Sequence, residues 1–303
     1  MVITGCLAVE EDEAGEEIFE LNEIGHKEGL ESINLGPNLT KEYQEELAKL
    51  VDEFNNLFTP DPWMTDVIQH QIKLTSEVPV TSKPYRVPYA TRQDLKKDIQ
   101  EMIDLRIMTE SDSPHASPIV IVKKPDGPNT LCVDYMKLNK IIVFDPEPMP
   151  TAEELFHKIS DDNFFSKVDL SNGYWQIKVS EEGIAKTAFV TPDGHWEFRR
   201  MPFGMVNSGS TLKLGVNRII GDVDSALLYW GDILVHSKSW GDHMKTLRSL
   251  FQRLRHVRFT IRLSKCILGT NTCNVDFIGH RLSGGVKGLH EDNVKSVKLS
   301  VLQ

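Results

Sequence analysis

The chain has 303 residues, 40% of them hydrophobic, which is enough to bury a core in one large domain or two medium ones and excludes a disordered protein. It contains no apolar run of about 18 or more residues, and its opening Met-Val-Ile-Thr-Gly-Cys lacks the basic start of a secretion signal, so a soluble intracellular protein without a membrane span is expected. The net charge of −10 argues against a polyanionic partner only until it is divided: residues 1–60 hold 15 Asp/Glu and 3 Lys/Arg, residues 61–303 hold 29 and 31, and a local basic groove is open to the remainder.

Residues 1–39 read as an acidic tail or linker; Ala8-Val9-Glu10-Glu11-Asp12-Glu13 opens a stretch with no sustained apolar period. From Thr40 the pattern is helical. Thr40 is placed to cap a helix whose Leu47, Leu50, Val51, Phe54 and Leu57 share one face, and Pro60 and Pro62 end it. A second helix is expected after Thr91, with Asp94 as its capping partner and Leu95, Ile99, Met102 and Ile103 turned inward.

Strand patterns come next. Pro118–Val122 and Leu131–Tyr135 flank the turn-forming Lys123-Lys124-Pro125-Asp126-Gly127, which predicts a hairpin with positive charge at its mouth. Phe164–Leu170 and Tyr174–Val179 predict another strand pair around Ser171-Asn172-Gly173. A helix over about 207–220, an acidic hairpin over about 226–236 and a helix over about 240–256 with Met244, Leu247, Phe251 and Leu254 inward are expected to follow. Short strands near Phe259–Ile261 and Val275–Gly279 close the pattern. Strands and helices interleave with few βαβ units, which points to an α+β fold. The four cysteines, Cys6, Cys132, Cys266 and Cys273, form no CxxC pair and read as free thiols.

The acidic hairpin carries the chemical question. In Leu227-Leu228-Tyr229-Trp230-Gly231-Asp232-Ile233-Leu234-Val235 two apolar strands meet at a turn that lifts a carboxylate. Asp169 ends another apolar strand and could meet Asp232 if the strands are neighbours. Taken alone, Asp169 reads equally as a turn cap and Asp232 as a solvated turn acid.

The order of the surrounding motifs changes that reading. The chain carries Tyr85-Arg86-Val87-Pro88, Ser113-Pro114-His115-Ala116-Ser117-Pro118, Cys132-Val133-Asp134-Tyr135, Ser166-Lys167-Val168-Asp169-Leu170, Gly173-Tyr174-Trp175-Gln176, Lys186-Thr187-Ala188-Phe189 and Met201-Pro202-Phe203-Gly204. The acidic hairpin, Lys265-Cys266 and Gly279-His280 follow. Over roughly residues 40–300 this succession resembles the reverse transcriptase of gypsy-type LTR retrotransposons, whose Tyr-x-Asp-Asp hairpin is degraded here by Gly231.

The resemblance implies a right-hand polymerase: N-terminal helices and fingers over 40–160, palm and the start of a thumb over 161–303, and an end before a full thumb or any RNase H or integrase domain. It implies RNA-directed DNA polymerase ancestry, with Mg²⁺ as cofactor and an RNA or DNA primer-template and deoxynucleotides as partners. Asp169 and Asp232 become the catalytic, metal-binding carboxylates. Lys124 becomes the triphosphate contact, Tyr174 the steric gate under the incoming sugar, and Phe203 and Gly204 the lining of the nucleotide pocket.

Departures from the family pattern are as informative. Gly231 stands where the family has an aspartate, and two-metal phosphoryl transfer needs several carboxylates converging on cations about 3.5–4 Å apart. Thr130 and Met136 stand where arginines are usual, Leu212-Lys213 where Phe-Gln is common, Ser208-Gly209-Ser210 where Ala-Pro-Ala is frequent, and Trp230 is bulkier than the usual aliphatic residue. The sequence therefore leaves three readings open: an impaired polymerase, a noncatalytic nucleic-acid-binding or scaffold protein on the same fold, and a reading frame too damaged to fold stably.

Overall fold

The computed structural model describes residues 28–37, 39–122, 130–146, 158–159, 162–221, 223, 225–229, 231–270, 276–277, 280–283 and 286–289. Among the described residues the long helices are α1 (Lys41–Glu53), α2 (Arg92–Asp104), α3 (Ser208–Ile220) and α4 (Trp240–His256). The first strands are β1 (Thr65–His70), β2 (Met108–Glu110), β3 (Ser117–Val122), β4 (Thr130–Val133), β5 (Phe164–Asp169), β6 (Ile177–Val179), β7 (Phe189–Thr191) and β8 (Gly194–Phe198). They are followed by β9 (Ala226–Tyr229), β10 (Asp232–Ser237), β11 (Ile267–Thr270), β12 (Asp276–Phe277), β13 (His280–Ser283) and β14 (Val286–Leu289).

The central sheet has the order β11-β5-β10-β9, with every neighbouring pair antiparallel. Its two middle strands turn successive side chains to opposite faces, and β10 is buried at every position after Asp232. Val168, Ile233, Val235 and Leu228 join the larger hydrophobic core with Leu47 and Leu50 of α1, Leu212 and Val216 of α3, and Leu247, Phe251 and Leu254 of α4. Because successive strand side chains point to opposite faces, Lys167, Asp169, Asp232 and Leu234 stand on the face turned away from those helices.

A second core lies around the five-stranded sheet β2-β8-β7-β3-β4 and gathers Val87, Leu95, Ile99, Met102, Ile107, Met108, Ile119, Phe189 and Phe198. Val133 packs against both cores. The mixture of an antiparallel sheet backed by helices and a second, mixed sheet is α+β. Among the described residues no helix is long and apolar enough to cross a membrane.

The capping residue of α1 is as expected: the Thr40 hydroxyl accepts from the Tyr43 N–H at 3.3 Å, and Leu47, Leu50, Val51, Phe54 and Leu57 are buried. The cap expected at Thr91 does not form. Its hydroxyl donates instead to the Pro88 carbonyl at 2.9 Å, because the chain enters α2 through a 3-10 turn over Tyr89–Thr91 that leaves Thr91 in a helical conformation.

Tyr174–Val179 is not one strand and makes no hairpin with β5. Asn172 adopts a left-handed conformation (φ 45°), Gly173–Gln176 form a 3-10 turn, and only Ile177–Val179 are extended, pairing in parallel with β1. Phe259–Ile261 is likewise no strand; Ile261 makes single bridges to Phe58 and Leu170. The expected strand at Val275–Gly279 reduces to Asp276–Phe277 within the described residues. The Lys123–Gly127 turn, with Lys124, lies outside the described residues, as does Trp230.

Candidate active site

Tyr229 and Asp232 are partners at the end of the β9–β10 ladder, and Gly231 directly precedes Asp232 at the turn. Gly231 has φ +107°, a conformation that glycine enters freely and L side chains rarely adopt. Asp232 thereby becomes the first residue of β10, and its partner on the other side is Asp169, the last residue of β5. Two acids 63 positions apart in sequence are thus directly opposed on one sheet face.

Three cations surround this pair. The Lys167 ammonium lies 2.8 Å from Asp232 Oδ2. Lys265 and Arg262 act electrostatically on Asp169, and the backbone N–H of Arg262 donates to the Asp169 carbonyl at 3.0 Å. Burial raises the Asp169 carboxyl above the ordinary carboxylate range and the charge on Asp232 pushes the same way, against the pull of Lys265, Lys167 and Arg262. The Asp169 N–H points to Cys266 Sγ at 3.4 Å, and burial holds that thiol well above its usual pKa and therefore unionised. Among the described residues Cys266 is a buried free thiol.

The turn after Asp169 is fixed by Gln176. Its buried amide donates to the carbonyls of Ser171 (2.9 Å) and Thr260 (3.0 Å) and accepts from the Thr260 N–H (2.7 Å). Arg200 supports the same turn, donating to the carbonyls of Trp63 and Trp175 at 3.3 Å each. Tyr174 is half-buried against the larger core, and burial raises its phenol pKa. A Cβ built on Gly173 would lie 3.6 Å from Leu212 Cδ2 and one on Gly231 would lie 3.9 Å from the same atom. Leu212 therefore joins the Tyr174 turn to the acidic hairpin.

Phe203 lines a small cavity with Met102, Leu131, Val133 and Trp175, where the two cores meet. Gly204 has φ +89°, and its carbonyl accepts from Asn139 Nδ2 at 2.9 Å. Met136 is 67% exposed and lines a separate surface pocket with Tyr85, Pro118 and Asp134. Other residues of the ordered motifs are structural. The Ser113 hydroxyl donates to the Ala185 carbonyl, Tyr135 to the Thr187 carbonyl and Lys186 to the Ile72 carbonyl.

Two contributors were not singled out as site residues by sequence reasoning. Lys167 had a signal, since it lies two residues before Asp169 on a strand and so shares its face. His243 had none. Its imidazole sits between Ser166 of β5 (Nε2, 2.8 Å) and Ser237 of β10 (Nδ1, 2.9 Å), tying together the two strands that carry the acids. Ser166 Oγ already accepts from the Gly269 N–H and Ser237 Oγ donates to the Ser239 carbonyl. Ser166 therefore donates to Nε2, and the proton of the neutral ring resides on Nδ1.

Among the described residues no group of three or more His, Cys, Asp or Glu side chains could hold a metal ion. Two opposed carboxylates nevertheless suit Mg²⁺, which is commonly held by one or two carboxylates with waters and substrate phosphates completing the octahedron. The donor set fits one such ion. It does not fit a clamp of two, for which Gly231 supplies no oxygen.

The family model described as Reverse transcriptase (RNA-dependent DNA polymerase) matches residues 122–282. The chain is 33% identical over 253 residues to the retrovirus-related Pol polyprotein from transposon 297 of Drosophila melanogaster, covering 80% of this chain and 24% of that protein. It is 30% identical over 267 residues to the transposon Tf2-3 polyprotein of Schizosaccharomyces pombe, covering 85% of this chain and 20% of that protein. Thus the chain spans about a quarter or less of the length of these relatives. Among solved structures, the foamy viral protease-reverse transcriptase dRH in complex with ds DNA superposes with a TM-score of 0.79 at 22% identity, over 86% of this chain and 46% of that one. This likeness establishes the fold as that of a right-hand polymerase with fingers and palm.

Proposed function

Because the chain belongs to the reverse transcriptase (RNA-dependent DNA polymerase) family and is of retrotransposon origin, we propose that it is a gypsy-type, template-directed DNA polymerase whose catalytic centre is reduced to Asp169 and Asp232. The observation that carries the reading is the direct opposition of these two acids across β5 and β10. Residues 40–160 serve as helices and fingers and 161–303 as palm and thumb start, with β7 and β8 returning to the sheet of the first part.

Asp169 and Asp232 would hold Mg²⁺, which when bound supplies charge neutralisation at the reacting phosphate and activates the primer 3′-hydroxyl. The residues of the chain position the reactants around that centre. The half-buried ring of Tyr174 lies under the incoming sugar and excludes a 2′-hydroxyl, with Leu212 fixing its distance from the hairpin. Phe203 and Gly204 close the nucleotide pocket, and Lys124 meets the triphosphate. Arg262 and Lys265 draw the phosphate backbone toward the acids.

Synthesis is impaired because Gly231 contributes no ligand oxygen and its turn is set at a positive φ. A second reading, a noncatalytic nucleic-acid-binding protein, is favoured by the three cations gathered at the acid pair, which suit a phosphate backbone without chemistry. Primer-template binding by fluorescence anisotropy, run beside primer extension in Mg²⁺ and Mn²⁺, separates the two. Binding with extension roughly a hundredfold or more below that of an intact relative is expected. Processive synthesis at the relative's rate removes the impairment, binding with no extension in either metal selects the second reading, and absence of both rejects a polymerase.

A further inference from the structure

Lys167 and Asp232 are diagonal neighbours on the acid face of the central sheet. Lys167 pairs with Leu234 in the register that pairs Asp169 with Asp232, so the ammonium reaches along the strand to Asp232 Oδ2 at 2.8 Å. The Lys167 and Asp232 side chains are only 22% and 31% exposed, so water screens the contact less than it would at an open surface. An ammonium is a compact, strongly hydrated point charge, which makes it an effective stand-in for a small cation. With Gly231 in place of an acid, this one lysine neutralises half of the opposed carboxylate pair.

We propose that Lys167 is a positioning residue that competes with the divalent cation for Asp232, holding the carboxylate in place when no metal is bound and weakening metal binding. The proposal rests on Asp169 and Asp232 being the cation site. A cation taking Asp232 as ligand must either displace the ammonium or accept a like charge a few ångströms away, and either course costs affinity. Strand geometry restricts the retreat of Lys167, because Lys167 Cα is fixed by ladder pairing to β10 on one side and to Ile267 of β11 on the other.

The test is Mn²⁺ binding to the full chain, read by electron paramagnetic resonance of free Mn²⁺, for the wild type and for Lys167→Met, Lys167→Gln, Lys167→Arg, Asp232→Asn and the double variant Lys167→Met/Asp232→Asn. Circular dichroism verifies folding, and Lys167→Gln serves if Lys167→Met does not fold. Removing the ammonium should tighten Mn²⁺ binding roughly tenfold, the scale of one partly screened unit charge at contact distance. Lys167→Arg should stay near the wild type, and the double variant should bind no better than Asp232→Asn. Unchanged or weaker binding in Lys167→Met and Lys167→Gln, with Asp232→Asn still losing affinity, overturns the competition and leaves the cation site standing. Equal binding in the wild type and Asp232→Asn overturns both.

Discussion

Asp169 and Asp232 face each other across β5 and β10, and the register continues without a break through the pair Phe164 and Ser237. Because strand side chains alternate, a slip of one residue would send one acid to the helix-packed face. Val168 and Ile233, both fully buried partners in the adjacent rung, forbid that slip. The position of the acids is thus fixed by the apolar residues beside them.

Replacing either acid with asparagine should lower metal-dependent primer extension roughly a hundredfold or more while leaving primer-template binding near its original strength. Asp232→Asn also releases Lys167 from a partly exposed ion pair, for which a stability change of about 1 kcal/mol or less is expected by urea denaturation. Cation affinity should fall on acidification at a pH above the usual carboxylate range, because burial raises the Asp169 carboxyl and protons compete for it.

Stability should fall with acidification for a separate reason. Burial lowers His70 to about 4 and His243 to about 3, from 6.5. The unfolded chain therefore takes up protons below 6.5 that the folded chain refuses, so their contribution is fully present above 6.5 and is lost as pH falls toward 4 and then 3. Urea midpoints at pH 7.5, 6 and 5 should decline. His70→Gln and His243→Gln should each flatten the decline, and an unchanged slope in both would exclude these histidines.

Gln176→Leu should destabilise by about 2–4 kcal/mol, since it strands the buried N–H of Thr260 and takes a donor from the carbonyls of Ser171 and Thr260. The loss would be read from urea unfolding with the slope unchanged. Extension should drop further than stability accounts for, because Tyr174 belongs to the released turn.

Much of this arrangement was legible in the sequence. Apolar runs around Asp169 and Asp232 marked the strands, and the spacing of Leu47, Leu50 and Val51 marked α1, because burial imposes those periods directly. Tyr174–Val179 misled because an alternating apolar pattern does not register a left-handed residue at Asn172. The parallel pairing of β1 with β6 and the contact of His243 with Ser166 and Ser237 join residues far apart, and nothing local announces them. Thr91 carried a capping signature that the nearby Pro88 carbonyl overrode.

Gly231→Asp should cost about 1–3 kcal/mol, the usual strain of a side chain held at a backbone angle such as φ +107°. It should still improve Mn²⁺ affinity, since a third carboxylate joins the pair. Extension should remain low until Thr130→Arg and Met136→Arg are added, with the triple variant exceeding each single one when equal amounts of folded protein are compared. Full activity from Gly231→Asp alone would show that the other departures are tolerated.

The backbone angle at Gly231 also bears on ancestry. In any lineage where this position passes from aspartate to glycine, the turn is free to settle where no other residue is comfortable, while Lys167 takes over the charge of Asp232. Reversal then requires the loop to move back and the lysine to yield, two events where the loss needed one. The step works as a ratchet, since the sheet, tied by His243 and its two serines, stands whether or not the turn carries its acid.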